Sequence, residues 1–325
     1  MRREPIVYGA LLAASLLMAF RTWRAADRPD APRGVELWRD RTGDIQAIEF
    51  ERPGTKLQIQ RRGAGSDSAY YWATTDTAAY LVGKDAGKRL LDALAAPVAE
   101  RDLGKPSAAD RRAFGLDTAR ERITVRLSDR TRRLLVGATV YSTDERYVLD
   151  EGSGHVYPLR PDITQTFENA DGLLPERRMH AFAPDQVGGV TVSGGGRTRA
   201  MRRAGDNPAT GGNWVAPNGD QKPDVAFAAF MQQLSQLYVQ GYAPRETGAG
   251  LTLVMRVDYT DKRGRPLGYL ELLSRPASGP TPDYFLRSEL TRGFVHGWSG
   301  TADNVAKDLP QVLNAGGGRT SARTT

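Results

Sequence analysis

Apolar and polar residues alternate along many short stretches of this chain, and one such pattern occurs twice. Residues 44–50 alternate with a period of two, and residues 186–192 repeat the alternation 142 positions later. At the same offset Trp72 aligns with Trp214. Alternation of this kind is typical of half-buried β-strands, so we interpret the chain as two copies of one folding unit. The positions that we expect in the cores of the two copies are Ile48, Val190, Trp72 and Trp214.

Each copy continues with a helix and then with further strands. Leu90, Leu91 and Leu94 lie at helical spacing within residues 87–99, and residues 225–238 form a clearer apolar stripe in copy two. Each copy therefore has the predicted order β-β-β-α-β-β-β-β-α, with short closing helices near residues 162–167 and 302–309. One main helix to about half a dozen strands predicts an α+β fold with mostly antiparallel sheets. The predicted strands after the main helices lie at residues 123–127, 133–136, 147–149, 156–159, 253–259, 268–273, 284–286 and 294–298.

The N-terminal segment contains the longest uncharged apolar run of the chain, at residues 6–20, between basic residues on both sides. A membrane-spanning helix needs ~20 apolar residues, with a lower limit near 17, so this run is short. A secretory signal and a buried N-terminal helix are the alternatives, but the run has no good cleavage site and no charged helix face. We therefore predict a single uncleaved membrane anchor. Its apolar residues are Ile6, Val7, Tyr8, Leu11, Leu12, Leu16, Leu17, Met18 and Phe20.

These patterns divide the chain into five parts. Residues 1–26 form the predicted anchor, and the Pro-containing residues 27–39 form a polar tether. The two α+β units then occupy residues 40–180 and 181–313. The Gly-rich, polar residues 314–325 form a tail that we expect to be disordered. The anchor places the rest of the chain on the extracytoplasmic side of a cell inner membrane.

Composition excludes several kinds of chemistry. The chain has 325 residues and no Cys, so disulfides, thiolate nucleophiles and Cys-based metal sites are absent. Its net charge of +7 suggests nucleic-acid binding, but Lys occurs at only seven positions and the Arg pairs are scattered along the sequence. Scattered charge usually marks a solvated surface. We therefore predict no nucleic-acid partner.

The residue types that catalyse reactions do not form a recognisable motif. None of His155, His180 and His296 has a partner at the spacing of a helical zinc site. The sequence Gly-Trp-Ser-Gly at residues 297–300 lacks the second Gly of a nucleophile elbow, and Gly-Gly-Gly at residues 194–196 lacks the Lys of a phosphate-binding loop. We predict that the protein is not an enzyme and has no cofactor or metal.

A series of short motifs follows the main helix of copy one in a fixed order. The series begins with Phe114-Gly115-Leu116, continues through the strands with Leu-Leu-Val-Gly-Ala at residues 134–138, and ends with Leu-Leu-Pro-Glu-Arg-Arg at residues 173–178. This order resembles a bacterial family known as domain of unknown function 4340. The resemblance covers residues 40–180, and residues 181–313 through the internal repeat. It implies an N-terminally anchored envelope protein with duplicated α+β units, often encoded beside ABC-transporter permeases and gliding-motility-type components.

These observations favour a non-enzymatic extracytoplasmic accessory subunit of an ABC-type, gliding-motility-like transport assembly. Its expected partners are a permease or related membrane subunit, and an envelope polymer. Edge strands and the cleft between the copies are the expected contact surfaces. Two alternatives remain. A glycan- or peptidoglycan-binding module would use exposed Tyr and Trp with the Arg-rich surface, and an envelope hydrolase would use a site around His155 or His296.

Overall fold

The fold is α+β, as the sequence predicts, and it contains two antiparallel sheets. The computed structural model describes residues 15, 34–63, 69–141, 143–205, 213–218, 222–279 and 281–314. Within these residues one sheet has ten strands, the other has eight, and six helices accompany them. We call the parts built on the ten-stranded and the eight-stranded sheet the first and the second unit.

The bounds of most strands follow the predicted periodicity, but the first main helix covers residues 84–95 and not the predicted 87–99, because residues 98–99 form a strand that pairs at the sheet edge. The first unit contains β1 Val35–Glu36, β2 Ile45–Arg52, β3 Thr55–Arg62, β4 Tyr70–Thr75, β5 Ala79–Leu81, α1 Lys84–Ala95, β6 Val98–Ala99, α2 Ala108–Ala113, β7 Glu121–Leu127, β8 Thr131–Thr139, β9 Arg146–Asp150, β10 Val156–Leu159, α3 Pro161–Glu168 and α4 Ala170–Leu173. The second unit contains β11 Val187–Gly194, β12 Arg197–Ala204, β13 Asn213–Val215, α5 Val225–Ser235, β14 Gly241–Tyr242, β15 Thr252–Asp261, β16 Pro266–Arg275, β17 Asp283–Ser288, β18 Val295–His296 and α6 Ser299–Asn314.

The two sheets have the same strand order over eight positions. The first sheet runs β1-β6-β10-β9-β8-β7-β2-β3-β4-β5, and the second runs β14-β18-β17-β16-β15-β11-β12-β13. Read in this direction, β14 takes the place of β6 and β13 takes the place of β4. The pairing of the central strands shifts at Ile45/Ala47 in one sheet and at Val187/Gly189 in the other. These irregularities occupy the same place in both sheets.

Helices cover one face of each sheet and form the two hydrophobic cores. The helix α1 buries Leu90 and Leu94, and α5 buries Phe227 and Phe230. Full burial of a side chain of this size contributes about 1.5–3 kcal/mol. The last helix is longer than the predicted residues 302–309, because its apolar stripe continues to Leu313. The second unit thus packs two long helices on its sheet, where the sequence predicted one main helix.

The predicted equivalence of Trp72 and Trp214 is wrong by one residue. Trp72 lies opposite Gln60 in the β3–β4 ladder, whereas Trp214 lies opposite Arg203 in the β12–β13 ladder. The residue in the place of Trp214 is therefore Tyr71, because Tyr71 lies opposite Arg61. Successive residues of a strand point to opposite faces, so a slip of one residue reverses the orientation of the side chain.

The four predicted core positions consequently have different environments. Ile48 and Val190 are buried, and Trp214 is only 2% exposed. Trp72 is half-buried and lies outside the first core. Its ring contacts Tyr242 of the second unit instead.

Trp38 supplies the buried indole of the first unit. It is 7% exposed, and its Nε1 donates a hydrogen bond of 3.0 Å to Leu94 O. The guanidinium of Arg132 lies 5.4 Å from its ring and pairs with the Asp40 carboxylate. The predicted tether at residues 27–39 therefore ends earlier than expected, since β1 and Trp38 already belong to the folded unit.

Two motifs of the first unit fit against each other. A capping box at Ser107 begins α2, and Gly115, with φ +66°, ends it. Strand β8 passes so close to the end of α2 that Ala138 N donates to Phe114 O at 2.8 Å. A Cβ on Gly137 would overlap Phe114 O and would lie 3.0 Å from Leu116 Cδ2. The Phe-Gly-Leu and Leu-Val-Gly motifs thus specify one close packing contact.

The predicted anchor residues 6–20 and the predicted tail lie outside the described residues, apart from Ser15 and Asn314. Among the described residues, no helix combines the length and the apolar character that crossing a membrane requires.

We expect Gly137→Ala to lower the free energy of unfolding by about 1–3 kcal/mol, because the added methyl group overpacks the contact with Phe114. Gly43→Ala is the matched control, since Gly43 has no atom within 4 Å of a built Cβ. Urea unfolding of both variants measures the difference. Equal stability of the two variants would contradict the packing role.

Candidate functional site between the two units

Residues 174–179 connect the units and run between the edges of their sheets, with one isolated β-bridge between Pro175 and Val82. On one side Glu176 N donates to Leu81 O of β5 at 2.8 Å. On the other side Val239 N, just before β14, donates to Arg177 O at 3.1 Å. We call residues 174–179 the linker strand. Its backbone is therefore hydrogen-bonded to both units.

The carboxylate of Glu176 is the central group of the linker strand. The side chain is buried, and its oxygens accept hydrogen bonds from the backbone and the guanidinium of Arg178 at 2.7–3.0 Å. Oε2 also accepts a long bond of 3.4 Å from Lys84 N, in the first turn of α1. An acidic group is stabilised at a helix N-terminus. Burial by itself would raise the pKa of this carboxyl, but the bonds from Arg178 outweigh it and hold the pKa below the ordinary value.

We call the linker strand together with β14 the joint between the units. Tyr242 lies in β14 and packs against both hydrophobic cores. Its ring meets the edge of Trp72 at a centroid distance of 5.8 Å. Its hydroxyl donates to Glu176 O at 3.0 Å, and burial raises the pKa of that hydroxyl. Arg292 adds a second contact across the units, since its guanidinium lies 5.0 Å from the Tyr70 ring.

The end of the linker strand is attached to the second unit. Ser288 Oγ donates to Met179 O. His180 Nδ1 lies 3.2 Å from the Glu289 carboxylate, which also accepts Ala181 N. Burial raises the pKa of Glu289, but the neighbouring His180 and the backbone donor more than offset this and lower it. The linker strand is therefore held along its whole length.

A cleft of about 720 Å³ opens beside this joint. One wall is the β4–β5 turn of the first unit, and the other wall comes from the second unit. The residues that line the cleft are Thr74, Thr75, Asp76, Thr77, Ala78, Ala79, Ala243, Pro244, Arg245, Glu246, Arg275, Asp283, Phe285 and His296.

Short-range hydrogen bonds shape the wall of the first unit. Thr75 N donates to Ala78 O at 2.7 Å, and Ala78 N donates back to Thr75 Oγ1 at 3.0 Å. Asp76 Oδ2 accepts Lys56 N from the neighbouring hairpin at 3.0 Å. Thr and Asp side chains commonly stabilise turns in this way. The turn therefore presents hydroxyl groups to the cleft in a fixed arrangement.

On the opposite wall an ion pair with Glu246 positions the guanidinium of Arg275. Arg275 Nη1 lies 3.0 Å from Glu246 Oε2, and the guanidinium lies 5.1 Å from the Phe285 ring. Glu246 Oε1 accepts Gly248 N at 3.0 Å, where Gly248 has φ +86°. The Gly248 N–H and the Arg275 guanidinium lower the pKa of Glu246. The Arg275 side chain remains 39% exposed, so its guanidinium can still bind a ligand.

The three histidines lie in three different surroundings. His296 lines the cleft, and its ring lies 4.8 Å from Phe285. His155 Nδ1 lies 2.8 Å from Asp102 on the surface of the first unit, and this bond lowers the pKa of Asp102. His180 holds the linker strand. Among the described residues, no three His, Asp or Glu side chains are grouped so that they could hold a metal ion.

In the sequence, Leu-Leu-Pro-Glu-Arg-Arg at residues 173–178 only closes a series of family motifs. The structure shows that this segment joins the units. Of the residues that line the cleft, sequence reasoning singled out only His296. Arg245, Glu246 and Arg275 belong to loops and strand ends without a motif. Their one detectable sequence signal is Gly248, whose left-handed backbone conformation favours glycine.

Two substitutions of Tyr242 should weaken the joint to different extents. Tyr242→Phe removes one hydrogen bond and should cost about 1 kcal/mol of unfolding free energy. Tyr242→Ala also removes the ring between the cores and should cost about 3–5 kcal/mol. Urea unfolding measures both. The exposed Tyr141→Ala is the control and should change little; equal effects of Tyr242→Ala and Tyr141→Ala would contradict the role of Tyr242.

Glu176 should make the free energy of unfolding depend on pH in the acidic range. Its folded pKa is lowered, so its contribution is fully present above the ordinary value of 4.5 and is lost as the pH falls through the lower folded value. Glu176→Gln should cost about 2 kcal/mol at neutral pH. The difference between wild type and variant should shrink as the pH is lowered below 4.5, which denaturant unfolding at several pH values can follow. A difference that stays constant would show that the charge is not responsible.

Comparison with known sequences and structures gives one match. A family model described as Domain of unknown function (DUF4340) matches residues 72–253. A search of curated proteins found no match, and neither did a search of solved structures. The matched range includes the Phe-Gly-Leu and Leu-Val-Gly contact and the entire linker strand, and it runs from β4 of the first unit to β15 of the second. Because the match spans more than half of the sequence, the chain belongs to the DUF4340 family of domains of unknown function.

Proposed function

We propose that this protein is a non-enzymatic, extracytoplasmic accessory subunit of an ABC-type, gliding-motility-like transport assembly. The observation that supports this best is the joint between the units. The buried Glu176 and the half-buried Tyr242 connect the two units through a hydrogen bond, and an open cleft lies beside the joint. A preformed cleft suits a binding subunit, because little ordering is required when a partner binds.

The two units are, in this proposal, copies of one module, at residues 40–180 and 181–313. The shared order of eight strands and the matching irregularities at Ile45 and Val187 support this. A duplicated module explains why binding would occur at the joint. The space between two copies is a surface that a single copy does not have.

The cleft is a better contact surface than the outer strands of the sheets. In the described part of the chain the outermost strands are β1 and β14, with two residues each, and β5 and β13, with three each. Strand addition to a sheet edge depends on a series of backbone hydrogen bonds, and such short strands provide few. The cleft, in contrast, offers charged groups from Arg245, Arg275 and Asp283.

The N-terminal run supports the proposed location, and the family resemblance supports the proposed partner. Residues 6–20 would hold the protein in the inner membrane as a single-pass anchor, with both units on the periplasmic side. In that position the units would lie next to membrane-embedded subunits. The proposed partner, an ABC-transporter permease or a related membrane subunit, is what the resemblance to the DUF4340 family implies, and the cleft would contact an envelope polymer.

Purification of the tagged full-length protein from native membranes after mild cross-linking tests this proposal. Permease and ATPase subunits should be enriched with the wild-type protein. Tyr242→Ala, which loosens the joint, should recover several-fold less of these subunits. Tyr141→Ala should recover as much as wild type, since Tyr141 is exposed and lies outside the joint.

Recovery of the full-length protein without any transporter subunit would contradict the proposal. A topology reporter fused after Thr325 tests the location separately. Reporter activity on the cytoplasmic side would exclude the extracytoplasmic arrangement.

A further inference from the structure

We propose that the cleft between the units binds a saccharide that carries a carboxylate group, as part of an envelope glycan. This inference deepens the proposed function and rests on it, because it assigns a ligand class to the same cleft. The volume of about 720 Å³ lies within the range of 300–1,000 Å³ that small-ligand sites occupy. Such a cleft accommodates a short stretch of a glycan chain.

Two guanidinium groups form the part of the cleft that would bind the carboxylate. Arg245 is exposed and has no hydrogen bond or ion pair to any other described residue. Arg275 is held by Glu246 and by the Phe285 ring, which leaves part of its guanidinium accessible. Arg binds carboxylates through two parallel hydrogen bonds. One arginine in a fixed position beside one that is free to move is well suited to an acidic group.

Other groups that line the cleft are partners for hydroxyl groups. Thr74 at the end of β4 and Thr77 in the β4–β5 turn are exposed on the wall of the first unit, and their hydroxyls both donate and accept hydrogen bonds. On the wall of the second unit Asp283 lies opposite Arg275 in the β16–β17 ladder, and its exposed carboxylate makes no hydrogen bond to another described residue. A carboxylate only accepts. Sugar hydroxyls both donate and accept, so they match this combination.

A ring surface lies on the same wall as Arg275. The imidazole of His296 is exposed and lies against the buried Phe285 ring at 4.8 Å. The C–H face of a sugar ring packs well on a flat ring of this kind. His296 therefore has a binding role here, different from the catalytic role that the hydrolase hypothesis gives it.

The lining favours a saccharide over a peptide. Its accessible apolar part consists of the small side chains of the exposed Pro244 and the half-buried Ala78, Ala79 and Ala243. Protein partners usually bind through large aromatic or Arg side chains that fill deep pockets. The shallow apolar lining offers no such pocket, whereas the hydroxyl, carboxylate and guanidinium groups fit a polar ligand with many hydrogen bonds.

Calorimetric titration of the purified protein with three probes tests this inference. The probes are a trisaccharide of galacturonic acid, a neutral trisaccharide of galactose, and triglutamate. The galacturonic acid trisaccharide should bind at least about tenfold more tightly than either of the others, because only it combines carboxylates with sugar hydroxyls. Arg245→Ala and Asp283→Asn should each weaken its binding about tenfold.

Arg263→Ala is the matched control, because Arg263 is an exposed arginine in the turn before β16, at the opposite end of that strand from Arg275. It should leave binding unchanged. Equal binding of triglutamate would overturn the inference in favour of a general anion or peptide site. Equal loss in Arg263→Ala would overturn it in favour of nonspecific charge attraction, and so would the absence of binding by the galacturonic acid trisaccharide. No transporter subunit takes part in these titrations, so their failure is distinguishable from failure of the proposed assembly.

Discussion

The hydrogen bonds of Glu176, through its buried carboxylate and its backbone oxygen, are the interaction on which the arrangement of the two units depends. A carboxylate without partners would be costly to bury, and here the surrounding donors come from its own strand and from the start of α1. The same residue accepts the Tyr242 hydroxyl through its backbone oxygen. Charge, backbone pairing and aromatic packing thus converge on one residue. Through that backbone oxygen Glu176 connects the first unit to β14 of the second unit, beside the cleft.

Much of the fold is predictable from the sequence, because side chains of a half-buried strand alternate visibly. Residues 45–50 and 187–192 show this alternation, and both lie in central strands with a covered face. The stripe of Phe227, Phe230 and Leu234 likewise marks the buried face of α5. Such signals are local, and each is determined by one element packing on one core. The α+β class and much of the succession of strands and helices along each unit follow from them.

Features that depend on contacts between distant segments were less predictable. Trp72 and Trp214 align in sequence, but the β3–β4 and β12–β13 ladders differ by one position, and the alternation within one strand does not reveal how that strand pairs with its neighbour. Trp38 lies in a polar stretch without alternation, so its burial is not visible before β1 is placed. The residues of the cleft come from three loops and several strand ends. Nothing in the sequence between Arg245 and Arg275 indicates that they share a site.

The very short outer strands also affect how neighbouring molecules behave. The outer strand of a sheet can template further strands from another molecule, and long flat edges promote fibres. The outermost strands in the described part of the chain, β1, β5, β13 and β14, have only two or three residues each and give an adjacent copy few backbone groups to pair with. Such edges disfavour the growth of a continuous sheet between adjacent copies.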